Sequence, residues 1–100
     1  MLAIPKIRAT ENIPPNKKVL FEKYVRGHLN WFVAEKEGDA CFGYIQNLAD
    51  PTLSEWGYFS LRELTKVGAK KDEGFKPTKQ VDLKEPVLRL FDVILVIKQP

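Results

Sequence analysis

The chain is poor in the residues that most chemistry needs. It has one cysteine, Cys41, and one histidine, His28, in 100 residues. A single cysteine excludes an internal disulfide framework. One His and one Cys fall short of the three or four ligands of a zinc site. No Gly-rich phosphate loop and no Ser/His/Asp order is present. Long apolar runs are missing too: the longest, Val93 to Ile97, is far short of the roughly 20 residues of a membrane span. Only four apolar residues precede Pro5 and Lys6, so no signal-peptide h-region is expected. The reading is a soluble, cytoplasmic protein with no metal, no cofactor and no membrane contact.

What is present is ordinary for one globular domain: 44% hydrophobic residues, 29% charged, 11 aromatics. The net charge of +3 is spread along the chain. The densest basic stretch, Lys66 to Lys84, holds six lysines against Asp72, Glu73 and Asp82. Nucleic-acid binders usually concentrate charge on one face, so this balance permits such contact without requiring it.

Residues 1–16 read as an extended arm punctuated by Pro5, Pro14 and Pro15, with Ile4 and Ile7 available to pin it. Val19 to Val25 reads as one strand. Asn30 to Glu37 alternates, placing Trp31, Val33 and Glu35 on one side and Phe32, Ala34 and Lys36 on the other. With the Lys36–Asp39 turn signal and the Cys41–Gln46 run, it predicts a β-hairpin. Gly43 within the second run points to close backbone or aromatic approach, or a bulge. Glu55 to Phe59 follows as a third strand. Ser60-Leu61-Arg62-Glu63 fits a capping box, Leu61, Leu64 and Val67 share a helix face, and Gly68 supplies a stop. A short helix over 60–67 results. Phe75 is placed to anchor a short extended piece. Pro86 to Lys98 reads as a strand or helix–strand segment apolar on both faces, which closes the core or pairs with a second chain. The fold class is therefore α+β: a small antiparallel meander, one short capped helix, and an apolar C-terminal segment.

The pattern Trp31-x-x-x-Glu35, Phe42-Gly43-x-Ile45, then Glu55-x-Gly57-Tyr58-Phe59-Ser60-Leu61-x-Glu63-Leu64, with Lys76-Pro77 following, resembles an uncharacterised bacterial domain family. That family is carried on plasmids, phages and other mobile elements. The likeness covers residues 30–66. It implies a mobile-element context and no particular reaction.

Three functional readings follow. The first is a non-enzymatic interaction or accessory module binding itself, as a homodimer, or another protein; seven aromatics on adjacent strands exceed what one short helix covers. The second is a nucleic-acid-binding module, with Lys66, Lys70, Lys71, Lys76 and Lys79 around exposed rings. The third is a small ligand-binding or hydrolytic protein using Glu35, Trp31, Tyr58 and Trp56 in a cleft. Glu63 has a structural account as a cap. Glu35 does not: a glutamate on a buried face needs Arg62, Lys23 or a backbone donor, or else work to do. Acid–base chemistry would require it to converge with Glu55 or Glu63. His28 reads as a solvated loop residue and Cys41 as a small hydrophobe.

Overall fold

The computed structural model describes residues 3–83. Strands β1 (Val19–Leu20), β2 (Glu22–Arg26), β3 (Leu29–Glu37), β4 (Ala40–Asn47) and β5 (Glu55–Ser60) precede the helix α1 (Leu61–Lys66); β6 (Lys70–Lys71) and β7 (Thr78–Lys79) follow it. One antiparallel sheet has the order β5-β4-β3-β2-β6, and β1 pairs with β7 in a second, two-stranded one. The class is α+β. The expected hairpin is β3–β4, turning at Gly38 with φ +62°. The segment 86–98 lies outside the described residues.

The helix forms where the sequence signals it. Ser60 Oγ accepts from the Glu63 backbone N–H at 3.0 Å. A second cap comes from the hairpin turn: Asp39 Oδ1 accepts from the Arg62 N–H at 3.0 Å. Gly68, at φ +81°, ends the helix. Leu64 then packs on Trp31, Val33, Cys41 and Phe59, all buried. Burying such a leucine contributes about 1.5–3 kcal/mol. Ile4 of the arm joins the edge of this cluster.

The opposite face of the sheet is aromatic. Phe32, Tyr44 and Ala34 are buried there with Leu20, against Trp56, Phe75 and Leu83. Irregular chain covers it, with Phe75 as the expected anchor.

Two expectations are corrected. Val19 to Val25 is not one strand but two, interrupted at Phe21, whose N–H donates to the Val33 carbonyl at 2.8 Å. The break sends Leu20 to the aromatic face, while Tyr24 packs on the helical face. Likewise, Glu35 does not share a face with Trp31 and Val33. The register runs Val33↔Gly43 and then Glu35↔Phe42, so Ala34 is an extra residue in a bulge. A bulge resets the period-two alternation, and Glu35 joins Phe42 on the aromatic face. Gly43 makes this geometry feasible. A Cβ on it would lie 1.7 Å from the Phe32 carbonyl oxygen and 3.2 Å from the Ala34 nitrogen. The close backbone approach expected at Gly43 is thus present, at the bulge itself.

Candidate functional site

On the aromatic face the rings form a continuous series. Tyr58 meets Phe42 at 4.9 Å between centroids and Phe42 meets Trp56 at 5.8 Å. Trp56 meets Tyr44 at 5.6 Å, Tyr44 meets Phe32 at 6.2 Å, and Phe32 meets Phe75 at 5.5 Å. The series follows from register: Phe42↔Tyr58 and Tyr44↔Trp56 are cross-strand pairs of β4 and β5, and Phe32↔Tyr44 joins β3 to β4. Such pairs contribute about 0.2–1 kcal/mol each. The Trp56 indole N–H donates to Gln80 Oε1 at 3.1 Å. At the β5 end the series emerges: Tyr58 is 65% exposed.

Beside Tyr58 lies a cleft of about 450 Å³, lined by Arg8, Glu11, Ile13, Pro15, Lys18, Glu35, Phe42 and Tyr58. That is within the size range of small-ligand and peptide pockets. One wall is sheet and the other is the N-terminal arm. The arm is not extended as its prolines suggest: between Pro5 and Pro14 the backbone closes successive turns, Ala9 N–H to Lys6 O, Glu11 N–H to Arg8 O and Ile13 N–H to Thr10 O. It is fastened to β3 at two points. Lys36 N–H donates to the Pro5 carbonyl at 2.9 Å. Glu35, only 2% exposed, accepts from the Arg8 N–H at 2.7 Å, the Thr10 N–H at 2.9 Å and the Thr10 hydroxyl. Lys18, also buried, donates to the Thr10 carbonyl and hydroxyl oxygens.

Burial pushes the Glu35 carboxyl up. The Thr10 hydroxyl, the Arg8 and Thr10 N–H groups and the Lys18 charge together outweigh it and hold the group below its ordinary value. A carboxylate so placed is a weak base near neutrality. Its oxygens are engaged by the arm, so its chemistry here is attachment. The backbone donors foreseen for Glu35 are therefore real and come from Arg8 and Thr10, residues that strand patterning does not reach. The signal available was the glutamate itself: a charge in register with Trp31 and Val33 marks a broken alternation.

The other sequence candidates fall as follows. Trp56, Tyr58 and Glu35 share the aromatic face. Trp31 does not: it is buried on the helical face, with Val33 and Leu64. Cys41 is fully buried in that cluster, and burial pushes its thiol up to about 11. The Tyr24 hydroxyl is raised to about 12, first by burial and then by neighbouring Glu22, to which it donates at 3.3 Å. His28 is exposed in the β2–β3 turn. Lys66, Lys70, Lys71, Lys76 and Lys79 are all exposed. None of them lines the cleft beside Tyr58. Lys70 and Lys71 form β6, at the sheet edge opposite Tyr58, four strand spacings or roughly 19 Å away. Lys71 is also paired with Glu22 at 3.4 Å. Among the described residues no three His, Cys, Asp or Glu side chains converge as a metal set. None of the described helices is long and apolar enough to cross a membrane.

Comparison of the chain with protein-family models, with curated proteins and with solved structures gives no match.

Proposed function

We propose that this chain is a non-enzymatic protein-interaction module whose partner docks at the Tyr58 cleft. The observation that carries the reading is the contrast within the cleft. Its buried charges, Glu35 and Lys18, are engaged by the arm. Its exposed aromatic, Tyr58, is left at the mouth on a supporting ring, Phe42. Rigid aromatics presented beside a concavity are the usual anchors of protein recognition. The mobile-element context belongs to the same proposal and rests on the residue 30–66 pattern alone. A role for Glu35 as acid or base is less favoured, because its oxygens are occupied and it is held below its ordinary value. Single-strand binding is less favoured because Lys70 and Lys71 lie at the sheet edge opposite the exposed ring, and none of the five lysines lines its cleft.

The test is selection of displayed random peptides on the full chain and on Tyr58→Ala, with light scattering to detect pairing of two copies. Selection that Tyr58→Ala abolishes, or self-association that it abolishes, agrees with the reading. Absence of any Tyr58-dependent binding, together with a monomer at high micromolar concentration, contradicts it.

A further inference from the structure

Arg8 has φ +75°, the left-handed region, and is the one non-glycine there among the described residues. A Cβ disfavours that backbone, which glycine adopts freely. Strained non-glycine residues concentrate at ligand clamps and switches. Packing does not account for this arginine: its side chain is 75% exposed. Its guanidinium meets Glu11 at 3.9 Å, a distance too long for a hydrogen bond and a pair too exposed to be strong. The buried Glu35 carboxylate nevertheless grips the Arg8 N–H and fixes the strained turn. A buried carboxylate and a strained residue thus combine to hold at the cleft a cation engaged only by the long, exposed pair with Glu11, beside Tyr58 and Ile13.

We infer that the cleft takes an acidic peptide segment of a partner, the Arg8 guanidinium donating to its carboxylate while Tyr58, Phe42 and Ile13 receive a neighbouring apolar side chain. The inference rests on the interaction reading above and gives it a partner chemistry. The charge that favours this occupant is the Arg8 guanidinium, held only by a long, exposed pair with Glu11. Lys18 and Glu35 are already engaged, which leaves a guanidinium with free donors next to an apolar wall. Glu11 competes for Arg8 from a weak, exposed pair, so Glu11→Gln tightens binding of an acidic peptide.

The experiment is peptide-library selection on the full chain, followed by calorimetric titration of a synthetic selected peptide. Expected are peptides with Asp or Glu beside an aromatic or aliphatic residue. Arg8→Gly keeps the N–H to Glu35 and suits φ +75°, so it changes the melting temperature little. It weakens the peptide by about tenfold or more, the loss typical of a hydrogen bond to a charged group. Arg8→Glu turns selection toward basic peptides. Tyr58-dependent peptides that lack carboxylates, or an Arg8→Gly affinity equal to the parent, would overturn the inference and leave the interaction reading standing. Arg8-dependent binding of single-stranded oligonucleotide with no peptide selected would overturn it in favour of nucleic acid. No Tyr58-dependent binding of any kind overturns both.

Discussion

The two faces of the five-stranded sheet are held in different ways. The helical face is apolar and compact. Trp31, Val33, Cys41, Phe59 and Leu64 close on one another under a helix whose start and stop are both capped. The aromatic face is covered by turns, a two-residue strand pair and an arm, and polar groups fasten it: Glu35 to Thr10, Lys18 to Thr10, Trp56 to Gln80. A regular element packed on a sheet leaves no room for a ligand. Irregular chain held at discrete points leaves a cleft. The bulge at Ala34 connects the two faces, because it takes Glu35 out of the helical core and delivers it to the arm.

That comparison is broken most severely at Gly43. A Cβ there meets backbone, which cannot swing aside, so Gly43→Ala disrupts both faces together. The expected loss is about 3 kcal/mol or more, measured by chemical denaturation, and tryptophan fluorescence reports Trp31 and Trp56 on the two sides.

Glu35→Gln acts on one face only. It leaves the Arg8 and Thr10 donors without their anionic acceptor and the buried Lys18 without a nearby opposite charge, a loss of about 2–3 kcal/mol. The pH dependence follows from the sign of the shift. Because folding lowers the Glu35 value below 4.5, its contribution is fully present above that unfolded value and is lost as pH falls through the folded one. The parent protein therefore weakens in acid, and Glu35→Gln has a shallower acid limb. Denaturation midpoints across an acid pH series check this.

The smallest effect sharpens the contrast. Leu64→Ala on the helical face costs about 2–5 kcal/mol. Tyr58→Ala, at 65% exposure on the aromatic face, costs within about 0.5 kcal/mol. Paired thermal melts separate them.

Much of this fold was legible in the residues. The β3–β4 hairpin, the third strand, the Ser60 cap, the Gly68 stop and the tight approach at Gly43 each follow from local chemistry. The failures have a common cause. Period-two reasoning assumes unbroken alternation, and pairing partners decide where it breaks. Phe21 leaves its strand because its N–H finds Val33. Glu35 changes face because β4 offers a glycine against which β3 bulges. The site suffered more than the fold. Tyr58, Trp56 and Glu35 were found, but Trp31 was assigned to them through the same false alternation. Arg8 and Thr10 were missed because their roles arise from contacts with β3 across 25–27 positions of sequence, and Lys18 because it grips Thr10 of the arm across 8; no local pattern encodes those.

The central claim is that the aromatic face carries an exposed ring for recognition rather than for stability. Measuring the melting temperature and peptide binding of Tyr58→Ala side by side tests it most directly. The account predicts an unchanged melting temperature with binding lost. A lowered melting temperature with binding retained would contradict it.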